Sequence, residues 1–388
     1  MNLRTQTVRR PLCREDGANA SSTPLYQTAT FGIDESPSAN SYDYSRSGNP
    51  TRKVLEEKIA TLEGADHALA YSSGLAAIHG VLSLVPSGGK ILAAADLYGG
   101  SFRILSRLKD QRGIEVCYVD VTDLEELQKH LDDSIDLLLV ESPSNPLHRV
   151  CDIRALSYQC RDHACILVID NSVMSPWLQK PIELGADIVL ESATKFLNGH
   201  ADVTAGVLAC NDSGLADQLR YDHNAMGVAL GPFDCWLVLR GLETLAVRIE
   251  AQQKSARFLA ESLRNHSSIE EVYYIGLEEN SGYVLHHSQA KGPGSVFSFR
   301  VKDEETARQI IRATTLFATT VSFGSTRSTI SRPFTMSHAS IPEDLAERHA
   351  PPSSLIRISV GLEDQNELWQ NLVRALDDKP ARTKRAFL

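Results

Sequence analysis

A chain of 388 residues with 42% hydrophobic and 23% charged residues has the make-up of an ordinary globular protein with room for two or three packed units, which excludes a disordered or low-complexity chain. Its formal net charge of −10 argues against nonspecific nucleic-acid binding, because an acidic surface repels a polyanion. Seven cysteines (Cys13, Cys117, Cys151, Cys160, Cys165, Cys210, Cys235), odd in number and without CxxC spacing, read as reduced thiols, and with no apolar run of membrane-spanning length and no signal-peptide core they predict a cytoplasmic protein.

Residues 1–50 are rich in Ser, Thr, Asn, Pro and Gly and read as an extended arm that opens on a short basic tail, "RTQTVRR". "NPTRKVLEEKIATLEGA" starts a helix. Asn49 is placed to cap it, Pro50 suits its first turn, and Val54, Leu55, Ile59 and Leu62 share one face. Short apolar runs then alternate with helical stretches: "HALAYSS", "KILAAAD", "IEVCYVD", "DLLLVESP", "CILVIDNS", "ADIVLES" and "AGVLAC". Continuous apolar strands between helices predict an α/β unit over 51–243, a mostly parallel sheet with helices on both faces. Residues 230–263 read as one or two long helices. From 244 the strands "EVYYIG", "SVFSFRV", "TTVSFGS" and "LIRISVGL" predict a smaller α+β unit reaching residue 388. His286 and His287, taken as strand neighbours, would point to opposite faces. With no HExxH in the chain, no metal site is expected. The closing "ARTKRAF" reads as a second solvated tail.

The chain lacks a GxGxxG after its first strand, a GxxxxGK[ST] loop and a GxSxG elbow, which argues against nicotinamide, P-loop and hydrolase-elbow chemistry. Instead, several strand ends carry complementary groups. "LVIDN" ends in Asp170. "VLESATK" carries Ser192, Thr194 and Lys195. "AYSSGLAA" runs from a strand through a small-residue turn into a helix start, which favours a phosphate on its free N–H groups. "ADLYGG" ends in Tyr98. Singly, each has a plainer reading: a surface lysine, a capping Asp-Asn, a common helix start, a turn aromatic. Together on one sheet rim they point to pyridoxal 5'-phosphate (PLP). Its aldehyde needs a lysine amine, Lys195, and its ring nitrogen needs a carboxylate, Asp170. Its phosphate needs donors, here the N–H groups of Gly74 and Leu75 and the hydroxyls of Ser192 and Thr194. Its ring needs a flat cover, Tyr98. Lys195 freed from the cofactor is the expected base for the substrate's α-proton.

The stretches "YSRSGNPTR", "SSGLAA", "DLYGGS", "ESPSNP", "DNSVMSP" and "GADIVLESATKFLNGHADV" resemble, in order, the signatures of the Cys/Met-metabolism (trans-sulfuration) PLP-dependent enzymes, across nearly the whole chain. The resemblance implies fold-type-I architecture and a homotetramer built as a dimer of dimers with shared active sites. In it, Tyr44 and Arg46 of the arm reach the partner's phosphate. It also implies that Arg357 binds the substrate carboxylate, while Ser322 and Asn145 line the substrate pocket; singly, these two read as a strand-end hydroxyl and a turn residue. "STPLYQTATF", "HHSQAKGPGSVFSF" and "MSHASIP" are most similar to the plant-type cystathionine β-lyases of that family. This implies carbon–sulfur lyase chemistry in methionine biosynthesis, cleaving cystathionine to homocysteine, pyruvate and ammonia. The alternative is γ-elimination or γ-replacement on cystathionine or a homoserine derivative. Two positions weigh against it: Val321 stands where γ-lyases often carry glutamate, and Gly100 where methionine γ-lyases carry cysteine. Glu191 departs from the family, which usually has histidine or tyrosine there.

Overall fold

The computed structural model describes residues 1–9, 20–33, 42–339 and 341–377; Cys13 and the "ARTKRAF" tail lie outside them. The first six-residue helix, α1 (Leu3–Val8), falls in the segment expected to be irregular. Asn2 caps it by accepting from the Arg4 N–H at 2.8 Å, and Leu3 packs on a core cluster, so tertiary contact supplies what so short a helix lacks by itself. α2 (Pro50–Glu63) forms as its signals predict. The Asn49 side chain accepts from Thr51 and Arg52, and Gly64 ends the helix at φ 73°.

The seven apolar runs are seven strands: β1 (His67–Tyr71), β2 (Lys90–Ala94), β3 (Glu115–Val119), β4 (Leu137–Glu141), β5 (Ile166–Asp170), β6 (Ile188–Glu191) and β7 (Gly206–Cys210). They form one sheet in the order β1-β7-β6-β5-β4-β2-β3. Pairing is parallel from β6 across to β3. Only β7 runs against its neighbours, setting Val207 beside Glu191 and Gly206 beside Tyr71. Alternate residues feed two different cores: Leu190 and Leu208 belong to one, Val189 and Val207 to the other, as the two-residue period of a strand requires. The helices α3 (Gly74–Leu82), α4 (Gly99–Arg112), α5 (Leu124–His130), α6 (Ile153–Asp162), α7 (Ser175–Leu178) and α8 (Ser213–Met226) accompany these strands.

Residues 230–263 resolve into two helices, α9 (Pro232–Leu242) and α10 (Leu245–Arg264). The second sheet follows: β8 (Glu271–Tyr273), α11 (Tyr283–Gln289), β9 (Val296–Arg300), α12 (Glu304–Ala313), β10 (Ala318–Thr319), β11 (Thr329–Ser331), α13 (Glu343–His349), β12 (Leu355–Ser359) and α14 (Gln365–Asp377). Its strand order is β10-β11-β12-β9-β8. α10 starts where the second unit was expected to begin, and it serves both units. Leu245 and Ile249 sit in a core of the large sheet, Leu259 and Leu263 in that of the small one.

Two expectations are corrected. The alternation in "TTVSFGS" does not make a strand beyond Thr319, because Ser322 (φ 77°) and Gly324 (φ 84°) take left-handed backbone conformations that no strand contains. His286 and His287 lie on α11 rather than on a strand. His286 is buried with Nε2 at 2.9 Å from the Gly292 carbonyl, and His287 is exposed.

Candidate active site

The carboxyl ends of the parallel strands open on a cavity of about 490 Å³, where ligands of doubly wound sheets are expected. Lys195 reaches it from the turn after β6. That turn is held by the Lys195 N–H donating to the Ser192 carbonyl at 3.0 Å and the Gly199 N–H donating to the Lys195 carbonyl at 2.8 Å. Gly199 is at φ 75°, and a Cβ there would meet the Arg248 guanidinium. Arg248 in turn braces the turn by donating to the Phe196 carbonyl at 2.9 Å. The Lys195 Nζ lies 2.6 Å from Ser322 Oγ and 4.9 Å from the centre of the Phe323 ring. Burial, reinforced by the nearby Arg357 charge, lowers its pKa to about 8, against the opposing pull of Asp170 and Glu141.

Asp170 ends β5 beside it. Its Oδ1 accepts the Ser172 N–H at 2.9 Å, and burial raises its pKa despite that bond and the Lys195 charge. Such a carboxylate forms no ion pair among the described residues, and a protonated ring nitrogen is the partner that would supply one. At the rim, Ser73 caps α3 through its hydroxyl to the Ala76 N–H at 3.0 Å. The first two N–H groups of that helix, on Gly74 and Leu75, bond to no acceptor among the described residues. Both line the cavity. A Cβ on Gly74 would stand 2.9 Å from Ser192 Cβ, so glycine alone lets the helix start close on the β6 turn. The structure therefore offers an anion cradle, a carboxylate with no ion pair among the described residues and a buried amine in one cavity, the donor set that PLP requires.

Tyr98, Asn145, Ser192, Thr194, Ser322 and Arg357 join Lys195, Asp170, Gly74 and Leu75 around this cavity. The Thr194 hydroxyl is already engaged, donating to the Ala205 carbonyl at 3.1 Å and accepting its N–H at 2.9 Å, so it closes the turn as well as lining the site. Tyr98 lies at the start of α4 with its ring partly exposed; a Cβ on Gly100 would stand 2.3 Å from it, which explains the glycine. Arg357, on β12, is buried and donates to Asn145 Oδ1 at 3.1 Å and to the Ser322 carbonyl at 2.7 Å. Burial lowers its pKa to about 10. Tyr44 and Arg46 do not line this cavity. They are stacked on each other at 5.3 Å, and Arg46 Nε donates to Asn224 Oδ1 at 3.1 Å.

Several lining residues were not singled out from sequence. Glu141, at the end of β4, accepts the N–H groups of Tyr98 and Asn145, each at 3.0 Å. Burial and the neighbouring Asp170 and Asp96 push its carboxyl well above the usual range. It was legible as a third strand-end carboxylate in "LLLVESP". Arg103 on α4 stands at the mouth without an ion pair among the described residues. Glu191 does not line the cavity and faces the opposite side of β6.

The family model for Cys/Met-metabolism PLP-dependent enzymes matches residues 4–377. The chain is 46% identical over 357 residues to the chloroplastic cystathionine beta-lyase of Arabidopsis thaliana, covering 92% of this chain and 77% of that one. It is 41% identical over 376 residues to the cystathionine beta-lyase of Bacillus subtilis, covering 97% and 96%. Among solved structures it superposes with a TM-score of 0.94 on the cystathionine gamma synthase of Xanthomonas oryzae pv. oryzae, at 35% identity over 97% of this chain and 98% of that one.

Proposed function

Since the chain belongs to the Cys/Met-metabolism PLP-dependent enzymes, we propose that it is a carbon–sulfur lyase that cleaves cystathionine by β-elimination to homocysteine, pyruvate and ammonia, a step of methionine biosynthesis. One observation carries the reading: Lys195 Nζ, a buried amine of lowered pKa, shares one cavity with the Asp170 carboxylate and the Arg357 guanidinium. PLP, when bound, supplies an electron sink for the pair left on the substrate's Cα. Gly74, Leu75 and Ser192 would hold its phosphate, Asp170 its ring nitrogen and Tyr98 one ring face. Arg357 grips the substrate's α-carboxylate with its planar fork and, through Asn145 and Ser322, is fixed in place before substrate arrives. Lys195 takes the Cα proton. The Cβ–S bond then breaks, its electron pair leaves with the homocysteine sulfur, and water releases pyruvate and ammonia. Arg103 at the mouth suits the carboxylate at the far end of cystathionine.

A γ-reaction on the same scaffold is the second reading, favoured by the close superposition on a cystathionine gamma synthase. It needs a further proton removal at Cβ. Product analysis separates the two. Pyruvate with homocysteine from cystathionine supports β-elimination, whereas 2-oxobutyrate with cysteine, or cystathionine made from an acylhomoserine and cysteine, overturns it. We also propose a homotetramer of two dimers, supported by Tyr44 and Arg46 standing outside their own subunit's cavity. A reducing, cytoplasmic location is proposed with it, supported by the free thiols of Cys117, Cys151, Cys160, Cys165, Cys210 and Cys235.

A further inference from the structure

Glu191 does not line the cavity of the candidate site. It is 1% exposed, and so is Glu63, the last residue of α2. The two carboxyl groups are neighbours that act directly on each other. Neither forms an ion pair among the described residues. The cation closest in effect, Lys180, lies 3.1 Å from Glu183 Oε1. Both oxygens of Glu63 lack a donor. On its other side, Glu191 Oε1 accepts from Asn171 Nδ2 at 2.9 Å. That nitrogen also donates to the Gln179 carbonyl at 2.9 Å. Gln179 Nε2 returns a bond to Asn171 Oδ1 at 3.1 Å and another to the Ser142 carbonyl at 2.7 Å. Asn171 directly follows Asp170.

Two ionised carboxylates are acceptors only, so an adjacent buried pair repels and leaves its oxygens unsatisfied. One proton between them removes both defects. Glu191 Oε1 is committed to Asn171, so the proton belongs on its other oxygen. Glu63, which feels Lys180, keeps the charge. We infer that Glu191 is held as a neutral acid donating to the Glu63 carboxylate, and that this acid pair positions Asn171 and, through it, the end of β5 that bears Asp170. The groups acting on the pair agree. Burial raises Glu63 to about 7, while the bond from Glu191 and the Lys180 charge pull it down and Glu183 pushes it up. Burial and the Glu63 and Asp170 charges drive Glu191 well above the carboxylate range. A neutral Glu191 also spares Asp170 a second negative charge behind it, which would favour the protonated form that cannot hold a ring nitrogen's proton. The acid pair stands on the polypeptide's own geometry; only its effect on Asp170 rests on the reading of the cavity as a PLP site.

Both carboxyl groups titrate above the ordinary 4.5 when folded. From there upward the native chain therefore binds more protons than the unfolded one. The pair's contribution to stability is complete below that value and is lost as pH rises, through about 7 for Glu63, with Glu191 shifted in the same direction.

The test uses PLP-free protein: wild type, E191Q, E191A and E63Q. Glutamine at 191 can donate and accept like the neutral acid but cannot ionise. Between pH 6 and 9, the wild-type Tm is expected to fall by about 2 °C or more relative to E191Q. The infrared carbonyl absorption of protonated carboxylic acids at pH 7 is expected to be weaker in E191Q than in wild type by one acid group, the remainder coming from buried carboxyls such as Glu141. E63Q, whose amide can donate to an ionised Glu191, is expected to lose the same share of that absorption and serves if E191Q does not fold. PLP titrated into each protein at pH 7 should bind E191Q within about twofold of wild type and E191A about tenfold more weakly. Parallel Tm curves for wild type and E191Q, or equal acid absorption in the two proteins, would overturn the acid pair. Equal PLP affinity in E191A and wild type overturns the positioning role alone. Failure of wild type to bind PLP sinks the site reading and leaves the pair standing.

Discussion

Lys195 is depressed to about 8 by burial first and by Arg357 second. Its working form is the free amine, so kcat should rise with pH through about 8 and level off above it. Arg357→Met removes one of the depressing charges, and the rising limb should move to higher pH in a kcat–pH profile. Arg357→Lys keeps the charge but loses the fork; steady-state kinetics should show KM for cystathionine raised roughly 10–100-fold, the loss expected for charge-assisted bonds. Lys195→Ala should lower kcat by about 10²–10⁴-fold, since a positioned base contributes that much. At this scale the sequence was legible where chemistry is written at strand ends. Lys195, Asp170 and Tyr98 stand at the ends of apolar runs, and apolar runs are easily read. Arg103 was not legible, because an arginine on a helix looks like any solvated charge until the fold turns that helix toward the cavity. Glu191 was visible as an oddity, but its partner Glu63 is 128 residues away in sequence, and no local pattern links the two.

Elements place these residues by close approach. The start of α3 meets β7 at Gly206, where a Cβ would stand 2.3 Å from the Ser73 carbonyl oxygen and 2.8 Å from Gly74 Cα. Backbone cannot step aside as a flexible side chain can. Gly206→Ala is therefore expected to cost about 1–3 kcal/mol in denaturant unfolding, as overpacking does, and to weaken PLP binding as the free N–H groups of α3 shift. The strands and α2 were legible because burial on both faces and a capped, amphipathic helix leave strong periodic signals. "TTVSFGS" misled for a physical reason. Its Val-Ser-Phe alternation matches a strand, yet the chain turns left-handed at Ser322 and Gly324, bringing the Ser322 hydroxyl to Lys195. α1 carried too few residues for a periodic signal, and its packing against a distant core holds it.

For the whole molecule, the arm and the cavity make separable demands if sites are shared between subunits. Arg46→Ala and Lys195→Ala proteins, each inactive, should regain activity when unfolded together and refolded. Random pairing leaves one intact site in half of the dimers, about a quarter of all sites. Assay of the mixture against each parent checks this; no recovery would mean that each subunit's arm serves its own site. The two-sheet plan was legible from the change of pattern near residue 244, but the sharing of α10 was not, because a helix reveals its neighbours only once both are folded. That sharing bears on how the protein comes apart. α10 begins in one core and ends in the other, so melting either sheet strips half of the helix bare and undermines the rest. Scanning calorimetry should accordingly record one cooperative endotherm rather than two.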